Sequence, residues 1–434
     1  MDSSAPVWQK FLETAELSDV GLRRSNNQDN FGRVLASSED QWRRRGHLFI
    51  VADGMGAHAA GELASKMSVD TITHSYYKLT DPSPADALRK AVEEANASIH
   101  SRGQANPDFK GMGTTTSVLL ILPEGAVVAH VGDSRVYRLR GNRLEQLSFD
   151  HSLVWEMTTG GNLSEREIPG YIPKNIITRS LGPSERVQVD LEGPFPLAEG
   201  DCFLLCSDGL SGQVADEELG TILGTLPPHE AVRTLVDLAN LRGGPDNITV
   251  IVARVHGLAA LPSGGSHHAP SAGGQKGPSI NPILWVVFGV LLLVALMLFV
   301  VNQPVAAGAA AVAGLVSGMV IFWQRFATAT PLGARLPSRL GKGPHRSYVC
   351  NASPEFVDQL ARIIEPLREE ASQQKWDIDW ARFNGLCSEA KASAARSDFA
   401  AAVRADCHAI SFMMQELRSQ RQKRKAGSVD IEGS

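Results

Sequence analysis

The sequence predicts an α+β protein built mostly from antiparallel sheets, followed by an apolar helical hairpin and a small all-α region. Three observations carry this reading. Strand-like runs outnumber helical stretches in residues 14–256 and do not alternate regularly with them, which disfavours a doubly wound parallel sheet. Two uncharged runs lie at 283–301 and 305–323. Beyond 351, apolar residues recur at helical spacing.

In chain order, the strand-like runs are 47–52, 117–122, 126–131, 136–139, 202–206 and 248–255, several of them closed by Gly, Asp and Asn turns. A helix is expected from Ala60 to about Tyr77. A second covers 84–100, with Ser83 as N-cap and Pro84 at the first helical position. A third, near 229–241, follows Pro227-Pro228.

Residues 257–280, rich in Gly, Ser and Pro, read as a flexible linker that also holds His267 and His268. Residues 281–324 read as a two-helix transmembrane hairpin: nineteen helical residues span roughly 28 Å, close to a bilayer core. Asn302-Gln303-Pro304 makes the turn, and Gly314 and Gly318 suit close helix approach, within the hairpin or between chains. Lys276 precedes the pair and Arg325, Arg335, Arg339, Lys342 and Arg346 follow it. The positive-inside rule therefore puts both flanks in the cytoplasm. Residues 325–350 read as a second linker, 351–425 as a helical region and 426–434 as a tail. Within that region Phe356, Leu360, Ile363, Ile364 and Leu367 form one stripe and Trp380, Phe383, Leu386 and Ala390 another. A third helix, 399–417, is capped by Ser397-Asp398. One such pair of helices resembles a single tetratricopeptide-like unit, without a second copy.

Composition narrows the function. A net charge of −5, with 21% charged residues, is not that of a nucleic-acid binder. Five cysteines, without metal-site spacing, suit reduced thiols in a cytoplasmic protein. The first residues show no secretory signal.

The chemistry lies in carboxylates placed at strand ends or Gly-rich turns. They occur in Arg24-Ser25-Asn26-Asn27-Gln28-Asp29, in Asp53-Gly54-Met55-Gly56-Ala57-His58, in Gly132-Asp133-Ser134-Arg135, in Ser207-Asp208-Gly209 and in Gly244-Pro245-Asp246-Asn247, with Gly111-Met112-Gly113-Thr114-Thr115 between the second and third. One Asp-Gly pair is an ordinary turn. Several in this arrangement form an oxygen cage for hard divalent cations. Two such cations, held close, turn a water into a phosphoester-cleaving nucleophile.

In this order and context the motifs resemble the metal-dependent type 2C (PPM) family of protein serine/threonine phosphatases, in its bacterial branch, over about residues 14–256. The resemblance implies two packed antiparallel β-sheets flanked by helices and two Mn²⁺ or Mg²⁺ ions. Asp53 would bridge the ions and the Gly54 carbonyl would bind one. Asp208 and Asp246 would complete a site, and Asp29 would act mostly through water. Asp133 would help to hold a third, weaker ion. Arg24 would grip the substrate phosphate, since a guanidinium can hold two of its oxygens. His58 is expected as a supporting group behind the ligands, and Asn247 likewise. Met55 replaces a His frequent in eukaryotic members and cannot donate a proton. Gln28 replaces a frequent Glu. Residues 151–181 fit a flap beside the site. The expected activity is hydrolysis of phosphoserine and phosphothreonine in proteins by a metal-activated water at the cytoplasmic membrane, with no phosphoenzyme, opposing cytoplasmic Ser/Thr kinases. Further partners would be membrane lipid and a protein bound by the helical region. The alternative is a catalytically silent phosphatase fold acting as a signalling or scaffold module.

Overall fold

The computed structural model describes residues 6–57, 59–160, 176–258 and 339–429, with Leu293 and Met297 as isolated positions. The chain divides into two compact units, Met1–Pro262 with Leu336–Ser434, and Ser263–Arg335. All elements named here belong to the first.

Its strands are β1 (Leu12–Asp19), β2 (Asp29–Val34), β3 (His47–Met55), β4 (Gly113–Thr114), β5 (Thr116–Leu122), β6 (Gly125–Val131), β7 (Arg135–Arg140), β8 (Arg143–Gln146), β9 (Asp190–Phe195), β10 (Cys202–Cys206), β11 (Ile248–Val255) and β12 (Arg346–Val349). One antiparallel sheet runs β1-β11-β10-β7-β8-β12. The other runs β2-β3-β5-β6-β9, with β4 on the end of β3. The helices are α1 (Val7–Lys10), α2 (Glu39–Arg45), α3 (Ala60–Lys78), α4 (Pro84–Ala105), α5 (Leu153–Gly160), α6 (Asp208–Ser211), α7 (Asp216–Thr225), α8 (Pro228–Leu241), α9 (Pro354–Gln373), α10 (Trp380–Ala395) and α11 (Phe399–Val429). Ser83 caps α4 as its sequence predicts, accepting from the Asp86 N–H.

The sheets pack face to face through Phe49, Val51, Leu119 and Ile121 on one side and Val136, Phe203, Leu205 and Ile251 on the other. The alternate residues of the same strands face outward, yet are also buried. Leu48, Ile50, Leu120 and Val127 lie against α3 and α4. Leu204, Val250 and Val252 lie against α7 and α8. Strands covered on both faces lose the apolar–polar alternation and read as continuous apolar runs, which is why the six runs stand out in the sequence.

Two findings differ from the sequence expectation. The sequence reads 325–350 as linker throughout, but Arg346–Val349 is a strand, β12, pairing Tyr348 with Leu144 on β8. Leu340 also forms a bridge with Gly193 of β9. Furthermore, α9–α11 are not a free-standing helical module. Phe356, Leu360, Phe383 and Ile410 belong to the same apolar core as Leu204 and Leu235 of the sheet and α8. The stripes expected on these helices are therefore real core faces, but their partner is the sheet of β7, β10 and β11 with α7 and α8. The helices α10 and α11 do pack on each other across a short turn, where Ser397 takes a φ of 61° and Asp398 Oδ1 caps the Ala401 N–H. α9 also packs on α11, so a two-helix unit does not describe the region.

The expected hairpin at 281–324, apart from the isolated positions Leu293 and Met297, and most of both flanking linkers lie outside the described residues. Among the described residues no helix is long and apolar enough to cross a membrane.

Candidate metal centre

The site forms at the ends of β2, β3, β6 and β10 and at the start of β11, strands drawn from both sheets. Strand alternation continues from Phe49 and Val51 to Asp53, which brings its carboxylate to the inter-sheet side. Antiparallel register then sets Asp29, the first residue of β2, directly opposite Asp53. Asp133 sits in the turn between β6 and β7, Asp208 opens α6 after β10, and Asp246 lies just before β11.

Close backbone packing holds these turns. A Cβ on Gly54 would lie 2.1 Å from the Gly61 carbonyl oxygen, and one on Gly209 only 2.0 Å from that of Asn247, so both positions exclude a side chain. Asn247 ties the start of β11 to three points of the 20–28 loop. Its Oδ1 accepts from the Gln28 N–H at 2.8 Å, and its Nδ2 donates to the carbonyls of Val20 and Asn26, each at 3.0 Å. The Asp53 backbone is fixed on both sides: its N–H donates to Thr115 Oγ1 and its carbonyl accepts from Thr114 Oγ1. Ser207 donates to Asp29 Oδ2 at 2.7 Å while accepting from the Thr249 N–H.

The electrostatics are those of an acidic pocket whose carboxylates are buried and repel one another. Burial pushes the Asp29 carboxyl up to about 7, with Asp208 and Asp246 adding repulsion against the Ser207 hydrogen bond. Burial raises Asp53 well above the carboxylate range, helped by Asp29, Asp208 and Asp133. Asp133 is pushed up to about 8, by burial first and by Asp208 next. Asp208 is also raised, by burial and by Asp246. Three buried oxygens, Asp29 Oδ1, Asp133 Oδ1 and Asp208 Oδ1, have no hydrogen-bond partner. Buried acceptors left unpaired are costly. Their convergence fits a cation bound among them. Among the described residues no group of three Asp, Glu, His or Cys encloses an ion by itself. A hard ion that keeps several waters does not require one.

Arg24 supplies the positive charge at the mouth. Its Nη2 lies 2.7 Å from Asp246 Oδ2. That hydrogen bond raises its pKa, with smaller contributions from the fields of Asp53 and Asp208. The residues singled out in the sequence, Arg24, Asp29, Asp53, Gly54, Asp133, Asp208, Asp246 and Asn247, therefore meet in one place. The sequence does not reveal the Arg24–Asp246 pair. His58 lies outside the described residues. Ser207, Thr114 and Thr115 stand inside the quoted motifs, but their work of orienting Asp29 and Asp53 shows only in the hydrogen bonds.

The described part of the flap segment is rooted on both sides of this centre. The His151 N–H donates to the carbonyl of Gly132, next to Asp133, and the N–H groups of Thr114 and Leu181 donate to each other's carbonyls. Gly132 in turn donates to His151 Nδ1 at 2.9 Å. His151 Nε2 meets Asp190 Oδ2 at 3.0 Å, so this nitrogen carries the proton.

A family model described as protein phosphatase 2C matches residues 23–238. The protein phosphatase PhpP of Streptococcus pneumoniae is 38% identical over 251 residues, which are 56% of this chain and 98% of that protein. The solved structure of the S. agalactiae serine/threonine phosphatase superposes with a TM-score of 0.51 at 37% identity, covering 57% of this chain and 100% of that one. The Mycobacterium tuberculosis serine/threonine phosphatase PstP/Ppp gives 0.50 at 34% identity, over 57% and 99%.

Proposed function

We propose that this chain, which belongs to the protein phosphatase 2C family and is a serine/threonine protein phosphatase, works with two divalent cations at the cytoplasmic face of a membrane. The observation that carries the metal assignment is the set of unpaired buried oxygens on Asp29, Asp133 and Asp208 around Asp53. Asp53, the Gly54 carbonyl, Asp208 and Asp246 would hold two Mn²⁺ or Mg²⁺ ions, with Asp29 reaching them through water and Asp133 helping with a third. Bound ions would neutralise the phosphate dianion and acidify a water for attack on phosphorus.

The chain's own groups do the rest. Arg24 can leave Asp246 and offer two N–H groups to two phosphate oxygens. Asn247 keeps the 20–28 loop, and so Arg24, registered against β11. Met55 cannot protonate the leaving alkoxide. Cys206, close to the centre in sequence, is no rival nucleophile, because burial pushes its thiol up to about 12.

The substrates would be phosphoserine and phosphothreonine proteins modified by a cytoplasmic kinase. The uncharged runs at 283–301 and 305–323, with basic residues after them, support a two-pass anchor with both ends in the cytoplasm. Any protein partner of α9–α11 would have to use the faces that the shared core leaves exposed.

The test is manganese-dependent phosphate release from a phosphothreonine peptide by the full chain. Activity should vanish with chelator and fall steeply in Asp53→Asn and Asp208→Asn. Turnover that ignores both substitutions would overturn the assignment. Cysteine labelling in intact cells checks the topology: a C-terminal region reachable from outside would refute the two-pass anchor.

A further inference from the structure

We propose that Arg346, on the strand that follows the apolar runs, is a positioning residue for the flap base and sets how tightly protein substrates are held. This rests on the phosphatase reading above. Arg346 lies outside the family-matched residues 23–238, yet its guanidinium lies 3.8 Å from the centroid of the Trp155 ring. Trp155 belongs to α5, the first helix of the flap segment, and is buried. The Arg346 charge also acts on Asp150, the residue just before that segment. Asp150 is held from the other side by Arg135, at 2.8 Å, and by Gln146 Nε2, at 2.6 Å. Arg135 approaches the same indole at 6.0 Å. Two arginines thus converge on one ring and one carboxylate, and only one of them, Arg135, comes from a metal-centre motif.

The second arginine is carried on a strap that is fastened at several points. Leu340 bridges Gly193. Glu192 accepts from the Gly343 N–H at 2.7 Å and meets His345 Nε2 at 3.1 Å. The His345 ring meets Phe149 edge-on at 5.4 Å. Arg346 then begins β12 against Gln146 of β8. A strap pinned to both sheets holds a cation against α5 without requiring α5 to supply its own brace. A flat guanidinium stacked on an indole is a directional contact that lysine reproduces only in part. Because Arg135 still holds Asp150 when Arg346 is removed, the Asp133 turn stays in place and the loss falls on the flap side.

The test compares the full chain in detergent with Arg346→Ala and Arg346→Lys, all with Mn²⁺, on p-nitrophenyl phosphate and on a phosphothreonine peptide. In Arg346→Ala the peptide KM should rise about tenfold, between the values of an exposed and a fully desolvated cation–π contact, as suits a half-buried arginine, with kcat on the small ester unchanged. Arg346→Lys should recover part of the loss. The fluorescence belonging to Trp155, taken as the difference from Trp155→Phe, should change in Arg346→Ala. An unchanged peptide KM overturns the proposal. So does an equal loss on both substrates with a fall in thermal stability that lysine does not relieve, since Arg346 would then be only a strut. A parent chain that hydrolyses neither substrate refutes the phosphatase reading instead.

Discussion

Stripping the metals should make this protein less stable as pH rises towards 8, the reverse of ordinary acid denaturation. An Asp whose folded pKa lies above its unfolded value binds more protons folded than unfolded between those two values, so stability falls with pH across that window. For Asp29 the window runs from 3.8 to about 7, and for Asp133 from 3.8 to about 8. Carrying one carboxyl from 3.8 to about 7 costs about 4 kcal/mol at higher pH. That is an upper figure, because the neighbouring carboxylates share protons and their costs do not add. Buried histidines act in the opposite sense. Burial lowers His47 to about 4 and His130 to about 3, so each adds stability as pH rises, an effect complete slightly above 6.5. Each histidine still adds about 0.4 kcal/mol above pH 6.5, so the Asp29 contribution is read as the difference between the parent and Asp29→Asn, which share both histidines. The assay is urea unfolding of the full chain at several pH values, in EDTA and in Mn²⁺, for the parent and Asp29→Asn. In EDTA the parent should lose stability from pH 6.5 to 8, and Asp29→Asn should lose less. Saturating Mn²⁺ should restore about 3 kcal/mol at a hundredfold excess over Kd. A chelated parent that gains stability over this interval, or an Asp29→Asn that is the less stable protein at pH 8 in EDTA, would refute the reasoning.

Three further outcomes follow from single contacts. Ser207→Ala removes a 2.7 Å hydrogen bond to the Asp29 carboxylate and should cost about 1–3 kcal/mol, read by denaturant unfolding, with a weaker Mn²⁺ affinity in calorimetry. Leu360→Ala, at a fully buried position in α9, should cost about 2–5 kcal/mol and move the unfolding of the catalytic unit in the same single transition; two separated transitions would show that the helices do not share its core. Gly209→Ala places a methyl 2.0 Å from the Asn247 carbonyl and should cost at least about 1–3 kcal/mol while loosening the loop that carries Arg24, seen as a raised KM.

What the sequence makes legible follows from what was packed against what. The doubly buried strands β3, β5, β6, β10 and β11 announce themselves because neither face needs polar residues. β1 and β2 are missed because they are half-covered, with Glu, Asp, Thr and Arg among their residues. β12 is missed for a different reason: four residues, two of them exposed, have no period of their own and exist through pairing with β8. The acidic centre is legible because its side chains sit in turns whose Gly and Asn residues are locally required. The hydroxyls that orient it are not, because Ser207 and Thr115 act across 178 and 62 residues of chain, on Asp29 and Asp53. The apolar stripes of α9–α11 correctly mark buried faces, but a stripe does not say which surface covers it.

The Arg24–Asp246 pair shows why the mouth of the centre can exchange partners. Its side chains are 51% and 35% exposed, so water and salt screen the pair, and such contacts contribute roughly 0–1 kcal/mol. The carboxylates behind it are in the opposite condition, buried and repelling one another. A phosphate dianion arriving with divalent cations therefore offers Arg24 a stronger partner than Asp246 and offers Asp246 a stronger partner than Arg24, at little cost for breaking the pair. Arg24→Lys keeps the charge but loses the two-pronged geometry. It should leave chelated stability nearly unchanged while raising KM for the phosphothreonine peptide by about tenfold, the value of one charge-assisted hydrogen bond. If Arg24→Lys instead destabilised the chelated protein by several kcal/mol with KM intact, the pair would be a structural tie, and Arg24 would have no freedom to turn to the substrate.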